Sequence, residues 1–163
     1  MKTLLLVRHA KSSTGDFSMA DFDRPLSERG KKDAAEMAQK LFKNNITIDT
    51  FVSSPAKRAK KTCKYFCDAY GARYDNIHYI DKLYLAPREV FTEVISGFPG
   101  SYNHVALFSH NNGITEFANM LCNNVNIDEM PTCSVFAVEA DITDWKDFNP
   151  AKKNFLFFTH PKK

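Results

Sequence analysis

Long hydrophobic runs are missing from this chain. The longest are four residues: Leu4 to Val7, Leu83 to Ala86, Val105 to Phe108, Val135 to Val138 and Phe155 to Phe158. A membrane span needs about 20 apolar residues and the core of a secretion signal about 7–15, so neither is predicted and a cytoplasmic location is expected. Charge of one sign is missing too. Lys and Arg number 22 against 19 Asp and Glu, a net charge of +3. That is too mild to mark a nucleic-acid binder, yet it tolerates anionic partners. Glycine is scarce, with six residues, and no glycine-rich loop carries a lysine to cradle a nucleotide. Cysteine is limited to Cys63, Cys67, Cys122 and Cys133, and none combines with histidine at zinc-finger spacing. The even count permits disulfides, but nothing points to secretion and the core needs no staples. All four are therefore read as reduced, buried small hydrophobes. Repeats, low-complexity stretches and linkers are absent.

What is present is ordinary for a globule: 44% apolar and 25% charged residues, which exclude a disordered chain, a collagen-like repeat and a coiled coil. The 163 residues predict one domain spanning 1–163, long enough to bury about 68–70% of its unfolded surface.

Strand and helix patterns alternate. Thr3 to Val7 is a short apolar run bounded by charge, a buried strand. A polar loop follows to Leu26. Ser27 is placed to cap a helix whose apolar face carries Ala34, Ala35, Ala38, Leu41 and Phe42, and Asn44 and Asn45 end it. Ile48 to Ser53 is a second strand. Pro55 is expected in the first turn of the next helix, with Ala56, Ala59, Cys63, Phe66 and Tyr70 as its stripe and Gly71 closing it. Ile77 to Ile80 reads as a third strand, and Pro87 opens a helix carrying Val90, Phe91, Val94 and Ile95. Val105 to Ser109 is a fourth strand before a helix with Ile114, Phe117, Ala118 and Leu121. Two further strands lie near Ser134 to Val138 and Asn154 to Phe158. This order predicts a three-layer α/β domain with helices flanking a mostly parallel central sheet.

In such sheets ligands bind at the carboxyl ends of the strands. Arg8 and His9 follow the first strand. Ser53 and Ser54 end the second, with Arg58 shortly beyond, and His110, Asn111 and Asn112 follow the fourth. Two arginines and two histidines thus converge on one sheet edge from three segments. Guanidinium forks match phosphate oxygens two at a time, a helix N-terminus adds donors, and a neutral imidazole nitrogen is a competent nucleophile at pH 7. No carboxylate cluster at this edge offers a magnesium site. The chemistry best served is metal-free, cofactor-free phosphoryl transfer through a phosphohistidine. His78, His104 and His160 lack such company and are read as structural.

Leu5-Leu6-Val7-Arg8-His9-Ala10, Ser53-Ser54-Pro55 with Arg58 and Thr62 beyond, and Ser109-His110-Asn111 together resemble the motifs of the histidine phosphatase superfamily, which has the phosphoglycerate mutase-like fold. The likeness runs from Thr3 to about Leu121. The short length, the Arg-His-Ala variant and Asp23-Arg24-Pro25-Leu26-Ser27-Glu28-Arg29-Gly30 are similar to the small SixA-type phosphohistidine phosphatases. The resemblance implies that His9 is the nucleophile and phosphoenzyme site, and that Arg8, Arg58 and His110 complete the phosphate pocket, with Asn111 as a substrate contact. Ala10 stands where the commoner pattern has glycine. The carboxyl group that protonates the leaving group in larger members has no assigned counterpart; Glu89 and Glu93 fall in roughly the right segment but on an exposed face.

A site without a strong acid suits a leaving group that needs none. Imidazole departs with a conjugate-acid pKa of about 6.5, unlike an alkoxide. A phosphorylated protein is therefore the expected partner, with a small phosphorylated metabolite as the alternative substrate and a non-catalytic phosphoprotein-binding module as the alternative class. No nucleic-acid or membrane partner is expected. Lys57, Lys60, Lys61 and Lys64 share one side of their helix, where an anionic protein would dock.

Overall fold

A computed structural model describes residues 1–15 and 18–162. Among these, six strands form one sheet flanked by four α-helices. Strand β1 (Lys2–Arg8) is fully buried over Leu4 to Val7 and lies inside the sheet. The strands stand in the order β3-β2-β4-β1-β5-β6, with β2 at Thr50–Ser53, β3 at Ile77–Tyr79, β4 at His104–Ser109, β5 at Val135–Ala140 and β6 at Lys153–Thr159. β1, β2, β3 and β4 are parallel, while β5 runs antiparallel to both β1 and β6. The reversal has a local cause. After helix α4 (Gly113–Leu121) the segment 122–134 travels back to the carboxyl edge, so β5 starts where β1 ends.

Alternation along β1 splits the core into two layers. Leu4 and Leu6 pack with helix α3 (Arg88–Ser96) and α4 through Phe91, Ile95, Ile114 and Phe117. Leu5 and Val7 face α1 (Glu28–Lys43) and α2 (Lys57–Tyr70) through Ala34, Ala38, Cys63 and Phe66. The three-layer arrangement expected from the sequence is thus present, and the four cysteines are buried thiols within it. Among the described residues, no helix is long and apolar enough to cross a membrane.

Several boundaries differ from expectation by one or two residues, and two of them lie on the path to Arg58. Pro55 is not in the first turn of α2, because Ala56 is the N-cap and the helix starts at Lys57. Strand β2 starts at Thr50 rather than Ile48, since the preceding backbone reaches β4 through the single bond from the Asp49 amide to the His104 carbonyl.

The polar loop after β1 is tied to α1 at its cap. The Ser27 amide donates to the Lys11 carbonyl at 2.9 Å, and Ser27 Oγ accepts from the Gly30 amide at 3.1 Å. This brings α1 so close that a Cβ at Gly30 would sit 2.0 Å from the Lys11 carbonyl oxygen. Gly30→Ala is expected to destabilise the fold by about 1–3 kcal/mol through overpacking. Thermal melting checks this, at about 2–4 °C per kcal/mol for a chain of this size; an unchanged Tm would mean that the Lys11 loop yields freely.

Candidate active site

The carboxyl ends of β1, β2 and β4 bring His9, Arg58 and His110 together. The His9 amide donates to the Ser109 carbonyl at the end of β4, and the Cys133 amide donates to the carbonyls of Arg8 and His9. Both sides of the β1 exit are thereby fixed. The imidazoles of His9 and His110 lie with ring centroids 5.2 Å apart, and Arg58 Nε donates to His9 Nε2 at 3.3 Å. These three side chains, with Arg8 and Asn111, line a cleft of about 390 Å³. The two arginines and two histidines expected at this edge from strand order are therefore brought together, with Asn111 beside them.

His9 is held in one tautomer. Its Nδ1 lies 2.7 Å from the Ala10 carbonyl, an acceptor only, so Nδ1 carries the proton and Nε2 keeps its lone pair towards Arg58. Thr62 holds this arrangement in place: its Oγ1 accepts from the Ala10 amide at 3.0 Å and donates to the Arg58 carbonyl at 2.8 Å. One threonine thus couples the turn after His9 to the first turn of α2.

His110 is oriented by the β2 exit. Its Nε2 lies 2.8 Å from Ser54 Oγ, which also accepts from the Ala56 amide at 3.3 Å. The Ser54 hydroxyl thus fixes the orientation of the His110 ring, with Nδ1 on the opposite edge.

Both histidines are pushed down from 6.5 to about 3. For His9 burial is the main cause, with Arg58, Arg8 and Arg24 adding repulsion and the Ala10 carbonyl opposing it. For His110 burial again leads, followed by His9 and Arg58. Both rings are therefore neutral at pH 7. Because folding depresses these values, the unfolded chain binds more protons between about 3 and 6.5. The stability from this pair is full above 6.5 and declines as the pH falls towards 3. NMR resonances of the two imidazoles are expected to stay at their neutral positions from about pH 8 to pH 5; a midpoint near 6.5 in the folded chain would overturn this.

Among the described residues, three buried side-chain nitrogens have no hydrogen-bond partner: Arg8 Nε, Arg24 Nε and His110 Nδ1. All three belong to residues lining this one cleft. Buried polar nitrogens are nearly always paired in folded proteins, so a cluster of three unpaired ones at a single cleft is unusual. Arg8 spends Nη1 on the Met130 carbonyl at 2.7 Å and lies 3.6 Å from Glu129, which fixes its outer end.

Among the residues in or beside the cleft that were not singled out from sequence as site residues, Asp21, Arg24 and Tyr84 form one network. Arg58 donates from Nη1 to the Asp21 carbonyl at 2.7 Å and from Nη2 to Asp21 Oδ2 at 3.0 Å. Tyr84 donates to the same Oδ2, and Arg24 pairs with Oδ1 at 3.0 Å. The Tyr84 hydroxyl, with help from Arg58 and Arg24, holds the Asp21 carboxyl below the usual range, so it is ionised at neutral pH. The available signal was Asp21 standing three residues before Arg24, just ahead of the Asp23 to Gly30 segment that carries the resemblance.

Glu89 and Glu93 do not line the cleft. Glu89 is paired with its neighbour Arg88, and Glu93 with Lys82 at 2.6 Å. Asn111 does line it, but its amide nitrogen donates to Glu129 at 3.1 Å and its carbonyl accepts from Thr115. That side chain braces the 129–130 segment beneath Arg8.

The sheet order, the crossing of segment 122–134 and the paired histidines at the carboxyl edge define an α/β protein of the phosphoglycerate mutase-like fold. The profile of the histidine phosphatase superfamily (branch 1) matches residues 4–83, the part of the chain that carries Arg8, His9 and Arg58. The chain belongs to that superfamily. A chloroplastic protein of Arabidopsis thaliana is 31% identical over 154 residues, covering 90% of this chain and 70% of its own. SixA of Agrobacterium tumefaciens superposes with a TM-score of 0.82 at 23% identity, covering 99% of each chain. The protein histidine phosphatase SixA solved with tungstate gives 0.81 at 18% identity, covering 97% of this chain and 96% of that one. These last two likenesses show the fold.

Proposed function

We propose that the protein is a metal-independent phosphatase that works through a phosphoryl intermediate on His9 and takes phosphohistidine in proteins as its substrate. The observation that carries this reading is the set of unpaired buried nitrogens on Arg8, Arg24 and His110 around a neutral His9 whose Nε2 lone pair faces the same cleft. A phosphoryl group offers oxygens to the two arginine nitrogens, and to His110 Nδ1 in the tautomer that carries its proton there.

In the first half-reaction His9 Nε2 attacks phosphorus and the bond to the leaving nitrogen breaks. The electron pair returns to the leaving ring, which carries a proton on its other nitrogen and so departs as neutral imidazole. Proton release from His9 is not required, because Nδ1 keeps its hydrogen bond to Ala10 while the ring becomes cationic. Arg8, Arg58 and His110 bear the charge on the transferring oxygens. In the second half-reaction water attacks phosphorus, the His9–phosphorus bond breaks, and inorganic phosphate leaves.

The leaving group is chosen by what the cleft lacks in acidity. Its one carboxyl group among the described residues, Asp21, is ionised by Tyr84 and Arg58 and has no proton to give at neutral pH. An alkoxide would depart unaided at great cost, whereas imidazole is a stable neutral leaving group. The same arginines supply the positive charge that a metal ion provides elsewhere.

The test is a panel of donors assayed with and without EDTA. Phosphohistidine protein is expected to be turned over faster than sugar phosphates, with no loss on chelation. A preference for a sugar phosphate would favour the metabolite phosphatase, absence of turnover on every donor would favour a binding module, and loss on chelation restored by magnesium would remove the metal-free mechanism.

A further inference from the structure

Beside the cleft lies a second depression of about 340 Å³ lined by Pro25, Leu26, Lys31, Lys57, Lys60, Lys61 and Lys64. It runs between the start of α1 and the outer side of α2. Its wall carries five lysines and no acidic side chain. Lys31 is paired with Glu28 at 3.1 Å. Among the described residues the other four make no ion pair, although the chain as a whole holds nearly equal numbers of acids and bases.

Three of these lysines are not loose. Lys60 lies over the ring of Tyr79 at 5.0 Å, Lys61 over Tyr65 at 5.4 Å and Lys64 over Tyr74 at 5.2 Å. A cation over an aromatic face gains about 0.5–1 kcal/mol at an exposed site. That contact restrains the long side chains and lowers the entropy lost when a carboxylate arrives. The ammonium groups keep their donors, since a ring face accepts no conventional hydrogen bond.

The depression adjoins the reaction centre. Arg24 lines the cleft and the next two residues, Pro25 and Leu26, line the depression. Lys57 of the depression precedes Arg58 of the cleft at the start of α2. A polypeptide presenting a phosphorylated side chain to His9 would lay neighbouring residues along these lysines.

We infer that this depression docks an acidic segment of the phosphorylated protein substrate, with carboxylates on Lys57, Lys60, Lys61 and Lys64 and an apolar side chain on Pro25. The inference rests on the phosphatase reading above. Protein is favoured over nucleic acid as the occupant because the apolar Pro25 and Leu26 stand among the lysines and the net charge is only +3. The docked carboxylates raise encounter and affinity without touching the reacting atoms.

The experiment uses two phosphohistidine peptides of equal length, one with three glutamates beside the phosphorylated residue and one with glutamines there. Both are assayed against 4-nitrophenyl phosphate, which is too small to reach the lysines. At low salt the acidic peptide is expected to show about a tenfold higher kcat/KM than the neutral one. That advantage should vanish in about 0.5 M salt, where screening is short-ranged. It should also vanish in the double variant Lys60→Glu, Lys61→Glu, with aryl phosphate turnover unchanged in both cases. Equal kcat/KM for the two peptides at low salt would overturn the docking role. So would tighter competition by oligouridylate than by the unphosphorylated acidic peptide, which would assign the surface to RNA. Failure of the phosphatase reading shows separately, as absence of turnover on all three substrates. Fluorescence anisotropy of the unphosphorylated peptides would then still report the docking difference.

Discussion

His9→Ala is expected to lose at least about 10⁴-fold in turnover, the scale on which enzymes lose rate when a covalent nucleophile is removed. The same variant should form no phosphoenzyme, whereas rapid acid-free quench of the parent should trap a species stable in alkali and labile in acid, as a phosphorus–nitrogen bond is. The expectation follows from the state of the ring. Nδ1 is committed to the Ala10 carbonyl at 2.7 Å, so the ring's lone pair is on Nε2, where it accepts only a long 3.3 Å hydrogen bond from Arg58 Nε that is given up when phosphorus is attacked. No second nucleophile lines the cleft among the described residues in a comparable position: His110 has Nε2 engaged by Ser54, and none of the four cysteines reaches the cleft. The loss should be in kcat rather than in affinity for phosphate, because the arginines remain. Wild-type turnover in His9→Ala would refute the covalent mechanism; a phosphoenzyme that persists in that variant would move the nucleophile to another residue.

The strands and the site were legible for the same reason. Apolar runs bounded by charge marked β1 and β4, and the polar residues directly after a strand must emerge at its carboxyl edge. Arg8, His9 and His110 could therefore be placed without coordinates. Arg58 was harder, since it sits among four lysines on α2, and only its position in the first turn distinguishes it. Asp21 and Tyr84 were not legible. Asp21 belongs to a single helical turn, Asp21–Asp23, inside a long irregular loop, and such a loop carries no periodicity to say which way a side chain points. Tyr84 lay within an apolar run that predicts burial, yet its hydroxyl reaches back to Asp21 across 63 residues. The roles of Ser54 and Thr62 were equally hidden. Both act through hydrogen bonds to groups distant in sequence, Ser54 to His110 and Thr62 to the turn after His9, which no local pattern encodes.

Arg58→Lys is expected to cost about 10²–10³ in turnover, although charge is conserved, because one ammonium cannot replace a fork that serves three acceptors. The guanidinium is only 2% exposed and spans His9 Nε2 on one side and the Asp21 carbonyl and carboxylate on the other. A phosphoryl group entering the cleft competes with Asp21 for the outer nitrogens, while Nε stays next to the attacking atom. Lysine presents a single nitrogen on a flexible stem. It can meet Asp21 or the phosphoryl oxygens but not hold His9 in line at the same time. A second explanation, that the variant merely changes the protonation of His9, has a different signature. Arg58 depresses His9, yet burial is the larger cause and persists in the variant. The imidazole therefore stays neutral at pH 7, and raising the pH to 8 should recover none of the lost rate. Recovery at pH 8 would assign the loss to the ring's protonation, and retention of turnover within about tenfold of the parent would show that positive charge alone suffices.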